Sequence, residues 1–312
     1  MRHGIHRKRH AALMAGLATY EAANGALLGI VNPAARSTLV EQMVSSLRRI
    51  EYVRAFRQRP VMSPSRVDPH SDLFDPLKGA YYLDSRGERD EAVWIAFIGT
   101  HFGKHSEDGW KLAANVMGSF GRGPVWTLAE YSARTAAFEA MLASHQADLD
   151  AKAISGRFSN HRQYQSKGAG VISNVFATFH EWLTGPGGIN ARVRRVHNAV
   201  GQQPTAVFAQ LYRSMKDVYG FGRLGKFDFL TMIGKLDLAP IEADSVHFVG
   251  ATGPLSGAKL LLFGATNAQG TPKQIERIVD DLDNYLQVGK QVLEDSLCNW
   301  QKSPTNFVYF RG

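Results

Sequence analysis

Cysteine is almost absent. Cys298 is the only one in 312 residues, which excludes an intramolecular disulfide framework, a cysteine-rich zinc site and a four-thiolate iron–sulfur cluster. A reducing, cytoplasmic setting fits this usage best. Long apolar runs are missing as well. None approaches the ~20 residues of a membrane span, so no membrane partner is expected. No phosphate-loop lysine motif, nucleotide-binding fingerprint or His-Glu-x-x-His string occurs, which argues against nucleotide hydrolysis, hydride transfer and zinc hydrolysis. Strand signals are confined to Tyr81-Tyr82-Leu83 and Phe307-Val308-Tyr309-Phe310, and there is no internal repeat or low-complexity tract.

What is present describes an ordinary globular chain. Hydrophobic residues make up 44% and charged residues 21%, and at roughly 150 residues per domain the length suits two lobes or one large domain. Lys and Arg number 36 against 28 Asp and Glu, a formal charge of +8 before any of the 11 histidines is counted. Such an excess suits a polyanionic partner, although charge alone does not single out nucleic acid. At the start of the chain Arg2, Arg7, Lys8 and Arg9 precede the apolar stretch Ala11 to Ala18, a pattern similar to a short signal peptide. Leu13, Leu17 and Tyr20 recur at helical spacing instead, so an amphipathic helix is the preferred reading. His3, His6 and His10 could chelate a metal, but a disordered basic arm on DNA is favoured and no metal site is expected.

Helical periodicity dominates, so the fold class is mainly α. Leu39 to Val53 carries apolar groups at i, i+3, i+4 and i+7. Residues 58–76 contain Pro60, Pro64, Pro69 and Pro76 and read as a linker. The division follows: residues 1–80 form an N-terminal helical extension with a proline-rich linker, and 81–312 form the body. Further helices are expected over Asp90 to Phe102, Trp110 to Met117, Leu128 to Leu142, Gly168 to Leu183, Ala191 to Ala199, Pro204 to Val218, Ser256 to Phe263, Pro272 to Leu286 and Val292 to Trp300.

The most informative stretch is Val218-Tyr219-Gly220-Phe221-Gly222-Arg223-Leu224-Gly225-Lys226, between two helical patterns. Two glycines one residue apart make a tight hairpin whose backbone N–H groups can approach a phosphate. The plainer alternative is a helix-capping glycine followed by a second in the same turn. After the second helix come Pro240 and then Asp244-Ser245-Val246-His247. In this order of hairpin, helix and aspartate the sequence resembles the helix-hairpin-helix DNA glycosylase superfamily, although Tyr219 stands in the usual proline position. Glu91 to Ile98 resembles that superfamily's early buried helix, and Gly156…Lys167-Gly168-Ala169 its Gly…Lys-Ala segment. The resemblance covers about residues 88–265. It implies a two-lobed glycosylase-like body with N- and C-terminal helical additions.

Several strings look closer to the alpha-glutamyl/putrescinyl thymine pyrophosphorylase branch and to related anti-phage DNA glycosylases. They are His101-Phe102-Gly103-Lys104, Gly156 to Arg162, Gly220 to Asp228, Gly253 to Ala258, and Glu294-Asp295 with Cys298-Asn299-Trp300. The resemblance implies a DNA partner, duplex with a modified base, a monomeric protein and no cofactor beyond a structural monovalent or magnesium ion at the hairpin. Its leading implied activity is excision of a modified base from foreign DNA, leaving an abasic site, in anti-phage defence. The alternative is base hypermodification, a transfer of an amino acid or polyamine onto a diphosphate-activated thymine derivative. A second alternative is a non-catalytic DNA-binding module.

Cleaving an N-glycosidic bond builds positive charge on the sugar, which a fixed carboxylate stabilises. Asp244 is the candidate, against the plain reading of a helix cap or loop aspartate. Leu224 stands where bifunctional relatives carry a Schiff-base lysine and Lys226 is two residues off, so monofunctional, water-using chemistry is expected. A flipped base needs a receiving pocket, for which Tyr219, Phe221, Phe102 and Tyr164 supply rings and His101, Lys104, Asn160, His161 and Arg162 supply polar groups. The alternatives are core packing for the rings and solvated surface for the polar groups. Trp94 and Phe97 read as core. DNA contacts are assigned to Gly220, Gly222, Arg223, Gly225, Lys226 and Lys167, and to a second helix entrance at Gly253, Ser256 and Gly257, where a diphosphate or a simple capping turn fits equally.

Overall fold

The computed structural model describes residues 7–58 and 62–309. His3, His6, Arg2, Pro60 and Phe310, named above, lie outside them. The described residues form α-helices and short 3-10 turns and no strand, with one isolated bridge between His105 and Gly109. In chain order the helices are α1 (Arg7–Asn24), α2 (Pro33–Arg54), α3 (Pro76–Ser85), α4 (Arg89–Phe102), α5 (Lys111–Met117), α6 (Leu128–Ala133), α7 (Thr135–Ser144), α8 (Gln146–Asp150), α9 (Lys152–Ser155), α10 (Ala169–Thr184), α11 (Ile189–Val200), α12 (Pro204–Ser214), α13 (Arg223–Lys235), α14 (Gly253–Phe263), α15 (Pro272–Leu286) and α16 (Lys290–Trp300). Among the described residues no helix is long and apolar enough to cross a membrane.

The chain separates into two compact units. The first joins Met1–Val53 to Ala243–Phe310, and the second runs from Arg54 to Glu242, whereas the sequence reading placed its division at residue 80. In the first unit, α1 turns Leu13, Leu17 and Tyr20 inward, the spacing that favoured an amphipathic helix. Tyr20 meets Tyr285 of α15 edge to face at 5.2 Å. Leu39, Val40 and Met43 of α2 join the same core as Ile275, Val279 and Leu282 of α15 and Leu297 and Trp300 of α16. α15 starts on a capping box, in which Thr271 caps the Gln274 N–H and Gln274 reaches back, with Pro272 at the first helical position. Packing of α14 on α16 is close because Gly257 has no side chain: a Cβ there would stand 2.2 Å from the Leu297 carbonyl oxygen.

The second unit is built around α4. Every residue from Ala92 to Phe102 is buried, which is why the segment reads as continuously apolar rather than amphipathic. Its two first-turn acids serve other helices. The Glu91 carboxylate accepts the Leu128 and Ala129 N–H groups at 2.8 and 2.9 Å, and Asp90 accepts that of Ile189 at 2.8 Å. Around α4 lies an aromatic cluster in which Phe97 and Phe179 stack at 3.8 Å, and the Trp94 indole donates to the Trp126 carbonyl.

Four expectations of local structure are corrected. Tyr81, Tyr82 and Leu83 are helical, because Asp75 caps the Lys78 N–H and Pro76 opens α3, with Gly79 3.1 Å from Ile95 once a Cβ is added. Phe307 to Tyr309 form no ladder. The helix expected over Leu128 to Leu142 breaks at Arg134, which adopts φ −142° and ψ 45° with no glycine or proline to announce it. Residues 62–75 form a folded loop rather than a bare linker: the Arg66 carbonyl accepts the Asp75 N–H at 3.1 Å, and Met62 and Phe74 are buried. Substituting Gly257→Ala should overpack the α14–α16 contact and destabilise by about 1–3 kcal/mol, visible as a lower thermal midpoint. An unchanged midpoint would mean that the two helices are not held this closely.

Candidate functional site

The hairpin belongs to the second unit. α12 ends at Ser214, a 3-10 turn covers Met215–Asp217, and Val218 to Gly222 lead into α13. Gly220 has φ +70°, the left-handed region that glycine enters without penalty, and a Cβ on it would lie 3.0 Å from Val175. The Tyr219 N–H donates to Thr178 Oγ1 at 2.9 Å and Gln165 Nε2 donates to the Gly220 carbonyl, so the turn is held by α10 and the loop before it. Phe221 points inward, 5.6 Å from Phe97 and 6.2 Å from His101 between ring centroids. Gly225 leaves room for it, since an added Cβ would stand 3.1 Å from the Phe221 ring. α13 starts at the exposed Gly222, which offers no side-chain cap. Lys226 lies along α12 instead, with Nζ 4.4 Å from the Tyr212 ring centre and its pKa lowered by burial.

The proposed base-pocket residues separate into two groups. His101, Phe102, Arg162 and Phe221 are core, whereas Lys104, Asn160, His161, Tyr164 and Tyr219 are exposed, Tyr164 at 93%. The buried polar members are tied into the scaffold. Arg162 donates through Nε to the Thr100 carbonyl at 3.1 Å and through a terminal nitrogen to Asp228 Oδ2 at 2.9 Å, which joins the end of α4 to α13. Asp228 and Thr100 escaped the sequence reading because their partner is 66 and 62 residues away. His101 stacks on Phe97 and Phe221, and its Nε2 has no hydrogen-bond partner. Burial, and then the Arg162 charge, push its pKa down to about 3. Gly103 follows at φ +65°, and Ser159 crosses so closely that a Cβ there would meet its Oγ at 2.1 Å. Lys167 is engaged by this same loop, donating to Ser155 Oγ at 2.8 Å and to the Gly156 carbonyl.

Asp244 belongs to the first unit, on a turn near the start of its Ala243–Phe310 segment. Its Oδ1 lies 2.9 Å from His247 Nε2, and His247 adopts φ +50°. The turn is fixed from both sides. Val246 and Phe248 are fully buried in the core, while Asp280 accepts the Val246 N–H at 3.2 Å and Glu276 accepts that of Phe248 at 2.5 Å. Asp280 is itself raised in pKa by burial. His247, Glu276 and Asp280 were not singled out from the sequence, although Asp-x-x-His and two acids four apart on α15 were there to read. Gly253 and Gly257 lie against α16, where added Cβ atoms would meet Cys298 Sγ at 2.7 Å and Leu297 O at 2.2 Å, so close helix packing accounts for both. Ser256 donates its N–H to the Thr252 carbonyl within the first turn of α14.

His101 provides a pH test of this arrangement. A histidine held neutral well below its ordinary 6.5 contributes stability that is complete above that pH and is lost as pH falls from 6.5 towards 3, with a slope of at most roughly 1.4 kcal/mol per pH unit. His101→Phe keeps the ring packing and should flatten this limb in urea unfolding measured across that window. Superimposable limbs for the two proteins would show that the imidazole is not buried as described.

No curated protein and no solved structure matches the chain. Residues 34–312 match the family model described as alpha-glutamyl/putrescinyl thymine pyrophosphorylase clade 3, a span that takes in the hairpin, the Arg162–Asp228 pair and the Asp244–His247 turn. The chain therefore belongs to the alpha-glutamyl/putrescinyl thymine pyrophosphorylase clade 3 family.

Proposed function

We propose that the protein is a transferase that hypermodifies DNA, joining an amino acid or polyamine to a diphosphate-activated thymine derivative with release of diphosphate. Family membership supports the reaction class, and one observation carries its assignment to residues: Asp244 is paired with His247 at 2.9 Å rather than standing alone. A lone carboxylate suits an oxocarbenium-like sugar. A carboxylate bonded to an imidazole suits a base. In this reaction the C–O bond between the thymine methylene and the diphosphate breaks, with its electron pair leaving on the diphosphate. A C–N bond forms to the incoming amine. That amine enters as an ammonium ion, so one proton must be removed before attack, and His247 is assigned to accept it while Asp244 orients and stabilises the imidazole. The uncapped start of α13 and Arg223 are assigned to phosphate groups of DNA.

The second reading is base excision by hydrolysis, favoured by the half-exposed Asp244 carboxylate following the hairpin helix. The two differ in product. Incubation with DNA carrying a diphosphorylated hydroxymethyl base and a panel of amines should yield nucleosides of increased mass without abasic sites. Asp244→Asn and His247→Phe should each slow this by about 10²–10⁴-fold, followed by mass spectrometry of digested nucleosides. Free base with alkali-labile strands would replace the transfer reading by the hydrolytic one. Neither product, with DNA binding lost on charge reversal at Arg223, would leave only a binding module.

A further inference from the structure

A cleft of about 460 Å³ lies within the second unit between α10, α11 and α12, in the size range of small-molecule sites. Its floor is apolar, made by Trp182, Val196 and Val218, all buried. α11 brings Arg192 and Arg195 to it, three residues apart and so on one helix face. Glu181 of α10 and Asp217 of the 3-10 turn bring two carboxylates to the same cleft. Among the described residues none of these four charges is ion-paired.

Arg192 is fixed without being neutralised. Its guanidinium lies over the Trp182 ring, 4.4 Å from the ring centre, and donates to the Trp182 carbonyl. Its Nε is buried and has no acceptor. Burial and the neighbouring Arg195 bring its pKa down to about 10, the direction expected of a cation that lacks a counter-charge. An anion between the two arginines would supply the missing acceptor. A polyanion such as the DNA backbone suits the cleft poorly, because Glu181 and Asp217 would repel it. A small ligand with one charge of each sign satisfies both pairs.

We propose that this cleft binds a free amino acid, its carboxylate held by Arg192 and Arg195, its ammonium group facing Glu181 and Asp217, and its side chain lying on Trp182. Occupancy of the cleft does not rest on the function proposed above. The test is calorimetric titration of the full chain with L-glutamate, glycine, putrescine and inorganic diphosphate. L-Glutamate should bind saturably to one site and be weakened at least tenfold by Arg195→Gln and by Asp217→Asn, both exposed positions whose change leaves the fold in place. Arg192→Met should weaken it further. Putrescine, which has no carboxylate, should bind at least tenfold more weakly than L-glutamate.

Absence of saturable amino-acid binding at millimolar concentration would overturn the proposal, as would binding that ignores both exposed substitutions. Diphosphate binding abolished by Arg195→Gln would reassign the cleft to phosphate and equally overturn it. The two readings fail separately. Amino-acid binding at the cleft with no transfer to DNA would sink the proposed function alone. Amine transfer to DNA by a protein whose amino-acid binding is untouched by Arg195→Gln would sink the cleft alone.

Discussion

The second unit depends on burying α4. A helix with no exposed apolar-polar boundary needs neighbours on every side, and its sequence supplies them through its first turn as well as its core face. Asp90 and Glu91 accept backbone N–H groups at the starts of α11 and α6, so the charged end of the buried helix satisfies donors that two other helices would leave open. Burial raises the Glu91 pKa, and the two N–H groups pull it back down. The aromatic rings along α4 then fix α10 and the hairpin, since Phe97 touches both Phe179 and Phe221.

This scaffold explains why some residues that looked chemical are structural. Phe102 and Phe221 fill the aromatic cluster, and Arg162 joins α4 to Asp228. Gly225 admits a ring, and Gly257 admits a helix. For the rings and the glycines, the feature that drew attention in the sequence has a packing cause. In the first unit Asp244 and His247 pair on a turn whose backbone is gripped by Glu276 and Asp280 and whose apolar residues are sunk in the core. Clamping a turn this way preorganises the side chains it carries.

Much of the helical content was legible because it is local. Pro272 to Leu286 emerges with the expected limits, since Thr271, Pro272 and Gln274 start the helix and four apolar residues at spacings of four and three line one face. α1 followed likewise from Leu13, Leu17 and Tyr20. Failures occurred where a local preference met a stronger local signal or no signal. Tyr81-Tyr82-Leu83 has strand-forming residues, but the Asp75-Pro76 start and the small Gly79 and Ala80 against α4 make it helical. The break at Arg134 has no marker in the sequence at all.

By itself the sequence determined the helical class, the hairpin glycines, the order of hairpin and aspartate, and the lack of a thiolate metal centre, because each depends on residues close together in the chain or on composition. Tertiary structure decided which residues share an environment. The partnership of Arg162 with Asp228 spans 66 residues, and the grip of α15 on the Asp244 turn spans about 30. The unpaired charges of the α10–α11–α12 cleft come from two helices and a turn. Such contacts arise from the burial of apolar faces that carry polar groups along with them, and hydrophobic periodicity records which face is buried but not what it will meet.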